Sequence, residues 1–214
     1  MSSSTTKTTA IITPHLTLEP LTKYPLSGKH VVLRAPLSSD ASTLHATYLS
    51  DPECARFLKR PPSVDLAQTH LLIERLGSAL HASGENPFAW VIARRDDDVP
   101  IGMVTCIPEG ASVEIHYGLA KENWGLGFAT EAVRLACDEL FRTQRFDRIF
   151  TTCAAEHRPS RAVLQKSGFE PEAYLSGALV LPALGTDPKD GVRYARYRAS
   201  REAPPIQFPL PVSG

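Results

Sequence analysis

The segment Asn123-Trp124-Gly125-Leu126-Gly127-Phe128-Ala129-Thr130 places two glycines where a strand pattern gives way to a helical one. Glycine reaches positive φ at little cost and lets backbone N–H groups come close to a ligand. The first turn of a helix adds unpaired N–H groups and a partial positive charge. Together they hold anions, phosphates above all. Gly-x-Gly before a helix also occurs as plain turn punctuation, so the spacing alone leaves both readings open. A Walker loop needs Gly-Lys-Ser/Thr, and the Lys is missing. A dinucleotide fingerprint needs a third glycine in a parallel strand-helix-strand unit, whereas this loop follows the last strand of a meander. Upstream, Val113-Glu114-Ile115-His116-Tyr117 alternates, putting Glu114 and His116 on one strand face and the apolar residues on the other. A carboxylate so placed can look into a cleft and move a proton through water; it can equally be an ordinary exposed strand glutamate.

The elements that must position these groups follow from periodicity. His30 to Arg34 is a short β-branched run, and Ser38 to Leu49 has helical spacing. Asp65 caps a helix carrying Leu66, Thr69, Leu72, Ile73, Leu76 and Leu80, which ends near Gly84. Three strands come next, Phe88 to Arg94, Pro100 to Ile107 and Val113 to Leu119, separated by DDDVP and PEGAS, so an antiparallel meander is expected. Beyond the glycine loop, Ala129, Ala132, Val133, Ala136, Cys137, Leu140 and Phe141 line one face of a helix. Arg148 to Cys153 reads as a strand and Pro159 to Ser167 as a helix stopped by Gly168. Phe169 begins a strand that returns after a Pro/Gly-rich excursion at 182–191.

The expected fold is α+β, one domain of residues 29–200. A Ser/Thr- and Pro-containing tail precedes it at 1–28, and a Pro-rich tail follows at 201–214. Twenty-three basic residues are balanced by 23 acidic ones, which argues against a nucleic-acid partner, since a surface that neutralises many phosphates leaves a positive imprint. There is no apolar run long enough for a membrane span, and the start lacks the apolar stretch of a secretory signal. Cys54, Cys106, Cys137 and Cys153 are widely spaced and read as buried hydrophobes in a reducing, cytoplasmic setting, with no metal site among them.

Glu114, Ile115 and Tyr117, followed by Trp124 to Ala132 without a gap, resemble the GNAT superfamily of acyl-CoA N-acyltransferases, in particular its RimJ/RimL-like branch. That branch reads Glu-aliphatic-x-Tyr ahead of Trp-Gly-x-Gly-aromatic-Ala-Thr-Glu-Ala. Arg148-Ile149, and Pro159 to Phe169 with its Gly-Phe ending, are similar to the family's second half. The resemblance covers residues 30–198, with the specific motifs inside 114–173. It implies a mixed, mostly antiparallel sheet with splayed middle strands and flanking helices. It also implies that the N–H groups of Trp124, Gly125, Leu126, Gly127, Phe128, Ala129 and Thr130 surround the pyrophosphate of acetyl-CoA. The pantetheine arm would lie where the third meander strand, at Tyr117 and Leu119, splays from Arg148 to Cys153, pairing with open strand edges. Where the family places Asn three residues before a Ser that contacts the CoA arm, this chain has His157 before Ser160, and imidazole cannot both donate and accept as an amide does.

Acetyl transfer to an amine needs the neutral amine. For a Lys-type amine near pKa ~10.4 that costs roughly 4 kcal/mol at physiological pH, against about 1 kcal/mol for an α-amine near ~8. Glu114 leads as the base, Glu172 is its rival because it matches a Glu common to the branch, and His116 could assist. Many family members protonate the leaving thiolate with a Tyr on the last helix, but Leu164 stands there. The RimJ/RimL-like pattern offers the Ser160 hydroxyl instead; a Ser beside Pro159 in a first turn is also an ordinary helix cap. The expected activity is N-acetylation of a primary amine, on a small molecule or a protein N-terminus, by direct attack in a ternary complex, by a monomer or homodimer. A CoA-binding regulatory module without catalysis is the alternative, and an interaction protein working through its Pro-rich ends a third. Acceptor specificity is expected in residues 38–83 and in the 176–191 excursion.

Overall fold

The computed structural model describes residues 25–80 and 86–199. The expected tail at 201–214 therefore lies outside the described residues, as does that at 1–28 apart from positions 25–28. Eight strands form one sheet: β1 (Leu26–Ser27), β2 (Val31–Arg34), β3 (Phe88–Arg94), β4 (Pro100–Glu109), β5 (Ser112–Leu119), β6 (Arg148–Ala154), β7 (Glu170–Leu179) and β8 (Lys189–Tyr197). Their order is β1-β2-β3-β4-β5-β6-β8-β7. Every neighbouring pair is antiparallel except β5 with β6. The sheet begins at Leu26, inside the segment expected to be a tail, because Leu26 and Ser27 pair with Leu33 and Val32.

Both faces of β3 are buried, and its alternation sorts two cores. Phe88, Trp90 and Ile92 face Val133, Ala136 and Leu140 of α4 (Phe128–Arg142). Ala89, Val91 and Ala93 face Leu44 of α1 (Asp40–Leu44) and Ile73 and Leu76 of α3 (Leu66–Leu80). Full burial of each large aliphatic side chain contributes about 1.5–3 kcal/mol, so hydrophobic contact holds the apolar stripe of α4 against the sheet. Asp65 accepts from Gln68 N–H at 2.7 Å, the expected cap of α3.

The expected continuous helix from Ser38 to Leu49 is instead α1 followed by a π-helical turn, His45–Leu49, whose Ser50 N–H reaches His45 O at 3.2 Å. The extra residue per turn brings both Tyr48 and Leu49 into the core. Tyr48 then lies against Gly118 of β5, where an added Cβ would come within 2.5 Å of the phenol oxygen. The short helix α2 (Pro52–Ala55) follows, capped by Asp51, and Cys54 Sγ reaches Leu119 O at 3.5 Å. These contacts fix the far end of β5. Near its C-terminus, α5 (Arg158–Lys166) ends with Gly168 at φ +81°. There Phe169 N–H bonds Leu164 O and Gly168 N–H bonds Gln165 O, the paired bonds that glycine makes possible after a helix.

Candidate acetyl-transfer site

Parallel pairing of β5 with β6 covers only Ser112 to Glu114 against Arg148 to Phe150. Beyond that point β5 is bonded only to β4, and β6 only to β8. The facing edges of His116 to Leu119 and Thr151 to Ala154 thus lack a strand partner, although Leu119 O is taken by Trp124 Nε1 and Cys54 Sγ, and an open edge carries amide groups that an amide-bearing ligand can match. The splay starts after Phe150, so Arg148 to Phe150 belongs to the closed part, not to the gap. A cavity of about 650 Å³ occupies the parting, walled by Tyr117 and Leu119 on one side, Thr151 to Cys153 on the other, and Ser160 and His157 from α5 and its cap.

The glycine loop closes one end. Gly125 and Gly127 have φ of +78° and +83°, and an added Cβ would meet nothing within 4 Å at either; the conformation, not crowding, is what calls for glycine. The first bond of α4 runs from Glu131 N–H to Gly127 O at 3.1 Å, and no side chain caps the helix. Trp124 N–H, expected in the donor set, is instead bonded to Lys121 O at 3.1 Å, whereas among the described residues no acceptor is provided for the N–H groups of Gly125 to Thr130. A donor set of this kind, at the positive end of a 15-residue helix, fits a diphosphate. Trp124 is held from outside, its Nε1–H donating to Leu119 O at 2.8 Å, while half its surface stays exposed. Glu131 ties the first turn to the sheet by accepting from His30 N–H at 2.8 Å and Val31 N–H at 3.3 Å.

Side chains crowd the other end. Glu114 is buried, with Lys59 Nζ 2.8 Å from one carboxylate oxygen and His116 Nε2 3.5 Å from the other. Burial alone would raise its pKa, but the His116 and Lys59 contacts outweigh it and hold the carboxyl down at about 2. Glu114 itself is set behind the cavity wall; His116 lines the wall, as the expected shared face requires. On the opposite face, Tyr117 Oη lies 2.9 Å from Ser160 Oγ and 3.1 Å from Ser160 O. Burial pushes the phenol well above its ordinary pKa, partly offset by the Ser160 bond, so the proton stays on oxygen. The helix position expected to carry a tyrosine holds Leu164. The signal for Tyr117 was its place on the apolar face of β5, but using it required knowing that α5 packs there.

Glu172 is elsewhere. It sits on β7, bonded to Arg148 Nε at 2.9 Å and Tyr197 Oη at 2.6 Å, and is not part of the cavity wall. His157 does line the cavity, yet its ring stacks on Phe57 at 4.1 Å and 17°. Burial and the nearby Arg56 lower its pKa, keeping the imidazole neutral. All four expected cysteines are free and buried.

A family model described as an acetyltransferase (GNAT) domain matches residues 30–170. The chain is 28% identical over 151 residues to an uncharacterized N-acetyltransferase, p20, of Bacillus licheniformis, covering 70% of this chain and 84% of that protein. Among solved structures, the ribosomal-protein-S5-alanine acetyltransferase of Vibrio fischeri matches with a TM-score of 0.72 at 18% identity, covering 85% of this chain and 100% of that one. RimL, the ribosomal L7/L12 alpha-N-protein acetyltransferase in complex with coenzyme A, matches with a TM-score of 0.71 at 19% identity, covering 81% and 98%. At these identities the two structures speak for the fold, whose parted strands and glycine-mouthed helix are described above. The family model spans well over half of the sequence and takes in that loop, both parted strands and α5, and on this ground the chain belongs to the GNAT family of acetyltransferases.

Proposed function

We propose that the protein transfers the acetyl group of acetyl-CoA to a primary amine by direct attack in a ternary complex. The observation that carries this reading is the run of acceptor-free N–H groups from Gly125 to Thr130, opening onto a cavity between two parted strands. The diphosphate would rest on those amides and the pantetheine arm along the open edges at Tyr117 to Leu119 and Thr151 to Cys153. Acetyl-CoA supplies the activated thioester; the chain's residues bind, orient and move protons.

A carboxyl held at about 2 is a poor direct acceptor of an ammonium proton, since the mismatch with a Lys-type amine is about eight units. Glu114, already paired with Lys59, therefore serves to orient His116 on the cavity wall, or a water, for proton removal. Such a site suits an α-amine, of which roughly a tenth to a fifth is neutral without help at physiological pH, better than a Lys side chain. As the C–S bond breaks, the Tyr117 hydroxyl, paired with Ser160, donates to the departing thiolate. His157, committed to its stack on Phe57, contributes a wall rather than the Asn-like hydrogen bond of the family pattern.

Incubation of the purified protein with acetyl-CoA and a panel of free N-terminal peptides, amino acids and polyamines, read by mass, tests the activity. Acetylated product with release of CoA is expected. Calorimetric binding of CoA with no product from any amine would instead favour the non-catalytic CoA-binding module, and absence of CoA binding at millimolar concentration would remove both.

A further inference from the structure

The face of the sheet that carries Glu114 continues across β6 onto β8. Glu114 pairs in register with Phe150, Phe150 with Ala195, and Thr152 with Arg193, so these side chains share one face. The charges on it are almost cancelled in pairs: Lys59 with Glu114, and Arg148 with Glu172. Arg193 is left over. It makes no hydrogen bond and no ion pair within hydrogen-bonding reach among the described residues, its charge reaches Glu172 only at longer range, and its buried Nε has no acceptor. Its guanidinium lies 5.8 Å from the centre of the Phe150 ring, while Arg148 lies 4.2 Å from the same ring.

A guanidinium presents a planar fork of donors that matches a carboxylate, and leaving such donors unmatched in a half-buried place is costly. An aromatic ring beneath the cation holds it without using any of those donors. Arg193 is thus restrained and unsatisfied, next to Thr152 in the cavity wall. It stands two strands across and two residues along from Glu114, about 12 Å between backbones at the usual spacings of about 4.8 Å per strand and about 3.3 Å per residue.

We infer that Arg193, seated over Phe150, reads an anionic group on the acceptor, and that the acceptor is an amine carrying a carboxylate several ångströms from its nitrogen. This rests on the acetyl-transfer reading above: the amine goes to His116, oriented by Glu114, and the carboxylate to Arg193. The residue lies just outside the 176–191 excursion where acceptor specificity was expected. A compact α-amino acid cannot span the two points. A straight-chain ω-amino acid does, and so does a peptide N-terminus followed by an acidic side chain.

The test uses the full chain with two matched pairs of probes: a straight-chain ω-amino acid against its uncharged amide, and a C-terminally amidated tripeptide ending in Asp against the same peptide ending in Asn. Each is measured for acetylation and, with CoA present, for calorimetric binding. The acidic member of at least one pair is expected to bind and react about tenfold better or more, and which pair does so separates a small-molecule acceptor from a peptide. Arg193→Met is expected to erase that preference by raising KM for the acidic probe about tenfold while leaving the uncharged probe within about twofold; Arg193→Lys should restore part of it. Equal binding of acidic and uncharged members in the unaltered protein would overturn the inference, as would an Arg193→Met effect equal on both. Binding is read independently of turnover, so a protein that binds the acidic probe but acetylates nothing would sink the enzymatic reading and leave this one standing.

Discussion

At the mouth of α4 the groups that face the cavity are backbone N–H groups of consecutive residues, whereas at the parting of β5 and β6 they are side chains brought in from the α2–α3 connection, β5 and α5. The first end depends on conformation: any side chain will do provided the chain passes through positive φ at Gly125 and Gly127. The second depends on identity: in the proposed reaction Glu114, His116 and Tyr117 of one strand act together with Ser160, 43 residues further along the chain. If the proposed roles hold, binding and chemistry are separable in this molecule, and substitutions should sort by which end they touch.

The largest effect is expected at the side-chain end. Glu114→Gln keeps the shape and removes the charge, and kcat/KM for amine acetylation should fall about 10²-fold or more while calorimetric CoA affinity stays within about twofold. A comparable loss of CoA affinity would show that the two ends are not independent. Gly127→Val should do the opposite. Forcing a β-branched residue to a φ of +83° costs roughly 1–3 kcal/mol, so CoA affinity should drop about tenfold or more, with kcat at saturating cofactor far less affected. Tyr117→Phe, which deletes the donor and leaves the packing, should lower kcat about tenfold without changing KM for CoA; an unchanged kcat would free the thiolate role for Ser160 alone.

A smaller effect belongs to acid stability. Glu114 is depressed from 4.5 to about 2 in the folded chain, so its ionised form adds stability that is fully present above 4.5 and is lost as the pH falls toward 2. Glu114→Gln should therefore flatten the fall of Tm across that window, leaving the profile above pH 5 parallel to that of the unaltered protein. His157→Asn should matter least. If the ring contributes only its stack on Phe57, CoA affinity will change less than about threefold; a larger gain would mean that the family's amide contact is available here and that His157 forgoes it.

The same division governs how much was legible in the sequence. The glycine loop, the meander and the stripe of α4 were readable because they rest on local rules of φ, turn chemistry and period. The shared face of Glu114 and His116 was readable too, since alternation along one strand is local. Lys59 against Glu114, Tyr117 against Ser160 and Arg148 against Glu172 were not, because each joins positions 24 to 55 residues apart whose meeting is decided by packing. The π-helical turn at His45–Leu49 escaped for a related reason: its apolar spacing satisfies an ordinary helix, and only the demand that Tyr48 and Leu49 both enter the core selects the wider turn.

The contact of Tyr48 with Gly118 carries a consequence for descent. With the phenol oxygen 2.5 Å from where any Cβ at 118 would stand, position 118 is not free to gain a side chain while Tyr48 stays. In a diverging lineage a side chain at 118 would arrive only alongside a smaller residue at 48, so the two sites should drift through sequence space as a pair, and a homologue that breaks the pairing would have re-seated the whole end of the strand.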